Sequence, residues 1–424
     1  MKVLLISANT EQFNMPVIPL GLACVSAAVA KAGHDVNMLD LMFETNVSAI
    51  IKKAITEFCP KCIGISVRNI DDQNFEAPVF LLDKVKEVIS VCRELTDAPI
   101  VLGGAGYSIF PESTLTYLNA DLGIACEGEI AFPVLLSRLE NGHDLSGLPG
   151  LYIRSRSLQS AIEFAGRLDA LTLPDPGILS VSMVKNKQLW IPVQTRRGCP
   201  LKCSYCSTPV IEGTIIRKRS PEIIADWIEK WAEAGCRKFF FVDNTFNLPP
   251  AYAKKLCRSI TERNLDISWS CILYPKNVDE ELVELLAAAG CKHVSLGFES
   301  GSEQILKNLN KRFLPEDVRK ISTLLVHHNI ERMGFLLLGT PGETRETVEE
   351  SLAFVDSLQL DALKITAGVR IYPSTQLAEI AEKQGVITSQ NNLLHPCFYL
   401  VPKLEGWLSE RLKKWMASRP YVIR

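Results

Sequence analysis

The sequence has no surplus of charge of either sign: 46 lysines and arginines stand against 48 aspartates and glutamates, for a formal net charge of -2. That balance supplies no general field for nucleic acid or an acidic membrane, so neither is expected as a partner. Apolar runs of membrane-spanning length are absent as well. The opening MKVLLISANT has a short apolar run with no small-residue cleavage site behind it, and reads as a buried strand rather than a secretory leader. Thirteen cysteines, an odd number scattered through the chain, argue against a disulfide framework and fit a reducing cytoplasm.

What is present is 424 residues, 47% hydrophobic and 22% charged, enough for two or three soluble domains. VLLISA (3–8), DVNMLD (35–40), CIGISV (62–67) and PIVLGG (99–104) read as buried parallel strands between helical stretches such as 20–33 and 79–95. That alternation predicts a doubly wound α/β domain over 1–140, with ligands beyond the carboxyl ends of its strands, near Asn9, Arg68 and Gly103. Residues 141–189 lose periodicity and read as a linker packed over the surface. From 190 to 376, strands at 190–198, 238–244, 267–273, 293–300, 333–340 and 363–373 alternate with helices. These include 220–235, with Ser220 as N-cap, and 278–290, closed by Gly290. The pattern predicts a partial (β/α)6 barrel, followed by a short C-terminal region at 377–424.

Cys199, Cys203 and Cys206 fall within RRGCPLKCSYCS (196–207), directly after the first barrel strand, where barrel active sites lie. A structural zinc ion or a fully protein-held iron–sulfur cube asks for four protein ligands, and the next cysteine is Cys236. Three ligands leave one metal corner for something that is not protein. Zinc stands as the alternative, and wants a fourth thiolate or imidazole at regular spacing. Arg196 and Arg197 read as steering anions, holding the loop, or forming a solvated face.

The C-x3-C-x2-C spacing at the first strand of a partial barrel resembles the radical S-adenosylmethionine superfamily. The resemblance implies a [4Fe–4S] cluster on Cys199, Cys203 and Cys206 whose open iron takes S-adenosylmethionine, and reductive cleavage of that cosubstrate to a 5′-deoxyadenosyl radical. It further implies cosubstrate contacts from Tyr205 in the cysteine loop, Asp243 and Asn244 in VDNTFN, Glu299 and Ser300 in GFESGSEQIL, and Gly342 in GTPGET. Arg370 in RIYPST, in the segment beneath the substrate, is a further cosubstrate contact by the same resemblance.

The N-terminal segments 19–40, 64–69, 102–112 and 126–129 resemble the cobalamin-binding domain that precedes many of these enzymes. By that resemblance Leu20, Ser66, Arg68, Asn69, Gly103, Gly104, Ala105, Gly106, Tyr107, Glu127, Gly128 and Glu129 contact the corrinoid. Where histidine-ligating domains carry Asp-x-His-x-x-Gly, this chain reads ANTEQFN. Cobalamin is therefore expected with its own base displaced and no histidine below cobalt, the Arg68–Asn69 turn being nearest the lower face. A guanidinium offers no lone pair to a metal.

The resemblance implies an α/β enzyme in which a Rossmann-like cobalamin domain precedes a radical barrel, acting as a cobalamin-dependent C-methyltransferase. Methylcobalamin would methylate an unactivated sp3 carbon, with an external flavodoxin- or ferredoxin-type electron donor. Alternatives are ring closure or rearrangement with both cofactors, or a non-catalytic sensor; the intact cysteine triad speaks against the sensor. Methylthiolation would need further cluster cysteines and a nucleic-acid-binding module, and neither is visible. The short C-terminal region suggests an open chamber, hence a peptide or protein acceptor, down to a glutamine of the kind methylated in methyl-coenzyme M reductase. A small molecule is the other acceptor class.

Overall fold

Strands buried on both faces need helices above and below, and the N-terminal third supplies them in alternation. The computed structural model describes residues 1–11, 16–154, 156–158, 161–178 and 189–423. Gln12, Phe13 and Asn14 of ANTEQFN, and 179–188 of the expected linker, lie outside these. The first sheet has the order β2-β1-β3-β4-β5-β6-β7. Its strands are β1 (Lys2–Ser7), β2 (Asp35–Asp40), β3 (Cys62–Ser66), β4 (Ile100–Gly103), β5 (Leu122–Ile124), β6 (Leu151–Ile153) and β7 (Ser157–Leu158). The first five pair in parallel. Strand order reverses between β1 and β3, and at such a switch point the flanking connections leave on opposite faces, so a crevice opens beyond the strand ends.

The second sheet is parallel throughout, in the order β18-β15-β14-β13-β12-β11-β8. It comprises β8 (Ile191–Val193), β11 (Lys238–Phe241), β12 (Ser268–Leu273), β13 (Cys291–Glu299), β14 (Glu331–Leu338), β15 (Ala362–Ala367) and β18 (Val422–Ile423). Each of β8 to β15 lies beside the next in chain order, the winding of a partial barrel. β9 (Arg196–Arg197) pairs antiparallel with β10 (Arg217–Lys218), and β16 (Val369–Arg370) with β17 (Phe398–Tyr399). The core of the barrel domain includes Phe239, Phe241, Phe246 and Trp269, all inaccessible to solvent. Each such burial contributes roughly 1.5–3 kcal/mol.

Three sequence expectations are corrected here. Residues 141–189 do more than cover the surface: β6 and β7 extend the first sheet antiparallel, and Leu168 and Leu171 are buried. The Arg219 guanidinium donates to the Leu171 carbonyl at 2.8 Å, and Trp227 Nε1 to Pro174 at 2.7 Å, so this stretch is bonded to the barrel. Ser220 stands at the N-cap of helix Pro221–Glu233, but its hydroxyl donates to Asp169 at 2.6 Å instead of capping. The C-terminal region is not a loose tail. His395 stacks 4.3 Å from Phe80, Phe398 sits edge-on to Phe75 at 5.7 Å, and Leu400 abuts Gly339 at the end of β14. It packs against the end of β14 and against Phe75 and Phe80 of the first domain.

Candidate active site between the two sheets

β9 and β10 form a two-stranded neck that closes the cysteine loop. Cys199 N–H donates to the Gly213 carbonyl at 3.1 Å across it. Gly198 sits at φ +89°, and a Cβ there would lie 2.1 Å from the Ile215 carbonyl, so only glycine lets the neck close. The tip is gripped from outside: Ser204 N–H donates to Leu309 O at 3.2 Å, Leu377 N–H to Ser204 O at 2.8 Å, and Asn310 Nδ2 to Lys202 O at 2.9 Å. Burial pushes the Cys199 thiol up to about 11 and Cys203 upward as well. Metal binding would remove both protons. Among the described residues the three sulfurs are not gathered within 4.8 Å of one another. One tetrahedral zinc, with Zn–S near 2.3 Å, would hold them about 3.8 Å apart.

Arg196 and Arg197 are both buried, which overturns the solvated-face alternative and leaves the loop-holding one. The Arg196 guanidinium stacks 4.7 Å over the Tyr252 ring and donates to the Leu248 carbonyl. Asp243 is fully enclosed: its carboxylate accepts from Thr195 N at 2.9 Å, Thr195 Oγ1 at 2.6 Å and Arg196 N at 3.1 Å. It fastens the start of the cysteine loop. Burial pushes its carboxyl upward, opposed by Arg196 and Thr195. Asn244 turns its amide to the Glu212 carboxylate at 3.1 Å.

On the opposite wall, the β13–β14 register shifts between Leu296 and Glu299, and Glu299 adopts φ +64°. Such a bulge re-aims a side chain. The Glu299 carboxylate accepts from Tyr205 Oη at 2.9 Å and from Lys311 Nζ at 3.3 Å. Burial pulls the Lys311 ammonium down, but Tyr205, Glu299 and Cys203 push it well above its usual value. Lys311, which the sequence alone did not single out, thereby puts a buried cation beside the cysteines. Ser300 is turned to Ser351, 3.0 Å away, and Gly342 packs against Asn308. Arg370 is buried in an ion pair with Asp71 of the first domain at 2.8 Å. It also donates to the carbonyls of Ile371 at 2.7 Å and Leu393 at 2.8 Å, so it joins the domains and the C-terminal region.

Between the sheets lies a cavity of about 440 Å³. The switch-point side supplies Leu20, Ser66, Arg68, Gly103, Gly104, Ala105, Glu127, Gly128 and Glu129, nine of the twelve residues that the resemblance assigned to the corrinoid. Gly104, at φ +102°, lets the β4 loop lie against the Val67 carbonyl, which a Cβ would meet at 2.6 Å. Asn69, Gly106 and Tyr107 do not line the cavity. Asn69 faces a small neighbouring hollow, Gly106 N–H is bonded to the Val67 and Arg68 carbonyls at 3.0 Å, and Tyr107 is packed beneath the sheet against Gly123. The barrel side adds Pro192, Gln194, Arg197, Ile211, Glu212, Phe240 and Val242. Apart from Arg197, none of these carried a local sequence signal, because they become neighbours only when the two sheets meet.

Charge inside the wall is paired. Arg197 forms a two-pronged pair with Glu129, lies 3.2 Å from Glu127, and Arg217 holds Glu127 at 2.6 Å. Burial alone would push the Glu129 carboxyl up; the adjoining Arg197 charge and hydrogen bonds outweigh it and hold it below the usual range. The Arg68 guanidinium makes no hydrogen bond among the described residues. Loss of water lowers its pKa and the Asp40 charge raises it back in part.

The family described as the Radical SAM superfamily matches residues 193–355, and that described as the B12 binding domain matches residues 6–136. An uncharacterized methyltransferase of Pyrococcus horikoshii is 28% identical over 439 residues, spanning 100% of this chain and 92% of its own. Tryptophan 2-C-methyltransferase of Streptomyces laurentii is 25% identical, over 89% of this chain and 74% of its own. The solved structure of the radical S-adenosylmethionine methyltransferase TsrM from Kitasatospora setae, with cobalamin and a [4Fe-4S] cluster bound, superposes with a TM-score of 0.88 at 25% identity. That likeness covers 100% of this chain and 92% of TsrM.

Proposed function

Because the chain belongs to the cobalamin-binding branch of the radical S-adenosylmethionine superfamily, we propose that it transfers a methyl group to carbon of a small-molecule acceptor held between its two domains. The observation that carries this reading is the cavity at the switch point, walled on its far side by residues of the cysteine loop. Its glycine-lined cradle at Gly103 and Gly104 and its paired charges fit a corrinoid; three cysteines without a fourth fit a cluster with one open iron. When bound, the cluster supplies the electron that splits S-adenosylmethionine and the corrinoid supplies the methyl group.

The chain's own residues bind, orient and exclude water. Cys199, Cys203 and Cys206 hold the cluster, while Tyr205, Glu299 and Lys311 offer a polar recess beside it for the amino-acid end of the cosubstrate. Asp243 keeps the loop in place without touching ligand. Arg68 and Ser66 line the switch-point wall and would contact a bound corrinoid, and no histidine lines the cavity among the described residues. A guanidinium has no lone pair to offer a metal, so the loaded Co(II) form should show no histidine-nitrogen splitting in its paramagnetic spectrum.

The C-terminal region, packed against the end of β14 and the first domain, favours a small molecule over a glutamine in a peptide. An external one-electron donor would serve the cluster. Among the described residues no helix is long and apolar enough to cross a membrane, and we place the protein in the cytoplasm. The test is anaerobic reconstitution with iron, sulfide and hydroxocobalamin, then incubation with methyl-labelled S-adenosylmethionine and candidate acceptors. S-adenosylhomocysteine and labelled product together are expected. Conversion of an acceptor without S-adenosylhomocysteine refutes methyl transfer.

A further inference from the structure

Glu212 ends the five-residue helix Thr208–Glu212, six residues after the last cluster cysteine, and its carboxylate reaches back across the loop. One oxygen accepts from Gly198 N–H, immediately before Cys199, at 3.1 Å, and from Asn244 Nδ2 at 3.1 Å. The other accepts from Gln194 Nε2 at 3.1 Å. Asn244 in turn meets the Thr208 hydroxyl at 3.5 Å, which lies 3.3 Å from Cys206 Sγ. A single side chain thus braces the residues on both sides of the cysteine triad. The same side chain, with its neighbour Ile211 and its partner Gln194, forms the barrel wall of the corrin cavity. Gln194 Oε1 also accepts from Arg197 Nε at 2.8 Å, which links the brace to Glu129 of the first domain.

We infer that Glu212 is a positioning residue through which occupancy of the cavity and assembly of the cluster on the adjoining loop favour one another. This rests on the cofactor assignment made above. The physical ground is ordering. Fixing backbone conformation costs entropy, and a wall shared by two sites is fixed only once. Whichever group binds first leaves less to be ordered by the second, and such coupling is reciprocal. Glu212 is suited to this because removing it frees three donors at once, on Gly198, Gln194 and Asn244.

The test is titration of hydroxocobalamin, followed by its absorbance, into the metal-free and the cluster-loaded full chain. The wild-type chain should bind it about 5-fold or more tightly when the cluster is loaded, the lower end of ordinary coupling. In E212A the ratio of the two affinities should fall to near one, whatever the affinity of the metal-free form. E212Q, which retains an acceptor for Gly198, should lie between. Circular dichroism checks folding; if E212A is unfolded, E212Q decides, and a ratio equal to wild type overturns the inference. A wild-type ratio of one with both groups bound also overturns it, as does an E212A ratio equal to wild type. A chain that takes up neither group would instead refute the cofactor assignment.

Discussion

Replacing Arg197 by methionine tests how the two domains are held at working distance. The guanidinium is buried, pairs with both Glu129 and Glu127, and stands two residues before Cys199. Arg217 can still neutralise Glu127, at 2.6 Å, but Glu129 loses its paired partner. Removing one side of a buried ion pair destabilises by about 3–5 kcal/mol, because the abandoned charge stays out of water. An exposed pair such as Lys53–Glu57 is worth about 0–1 kcal/mol, so K53M provides the control. Urea unfolding at pH 7, followed by fluorescence of the barrel tryptophans, should show a clearly lower midpoint for R197M and almost none for K53M. The double variant R197M/E129Q should recover part of the loss, since no bare carboxylate remains. The pH dependence has a definite sign. The Glu129 carboxyl titrates lower in the folded chain than the usual 4.5, its burial being outweighed by Arg197. Its stabilisation is therefore complete above about pH 4.5 and lost as pH falls through the folded value. The gap between wild type and R197M should shrink on acidification below pH 4. An R197M midpoint no lower than that of K53M, or a gap that widens in acid, refutes the reasoning.

Three further outcomes are expected. Y107F should be neutral or stabilising by about 1 kcal/mol and leave hydroxocobalamin affinity unchanged, because the Tyr107 hydroxyl is buried without a partner and faces away from the cavity; weakened binding by titration would count against this placement. Glu343 is buried with one oxygen unpartnered, and burial pushes its carboxyl from 4.5 to about 7. A raised acid disfavours the folded state as pH climbs between those values, so E343Q should gain stability over wild type at pH 8 relative to pH 5, by about 3 kcal/mol at most, in parallel denaturation curves. G198A should lose most iron uptake on anaerobic reconstitution, since its Cβ meets the Ile215 carbonyl; iron loading equal to wild type would show that the neck can yield.

Much of the architecture was legible because it depends on short-range pattern. The strand at Asp35–Asp40 and the helix from Leu20 follow from apolar runs bounded by glycine and polar turns, and the cysteine triad is contiguous in the chain. Tyr107 illustrates the limit. It lies in a glycine-rich strand end, where ligand contact is reasonable, yet its ring turns under the sheet to fill the space that Gly123 leaves. Asp243 and Arg370 are similar cases: both occupy barrel strand ends, and both close buried ion pairs, one with Arg196 and one with Asp71.

By itself the sequence determined two α/β units, their order, and a loop with three metal-seeking thiols, since these rest on local periodicity and adjacent residues. Only the tertiary structure decided which side chains face the cavity. Glu212, Lys311 and the Arg197–Glu129 pair acquire their roles from contacts across 12 to 68 positions, and no local pattern encodes where a folded wall will place a charge.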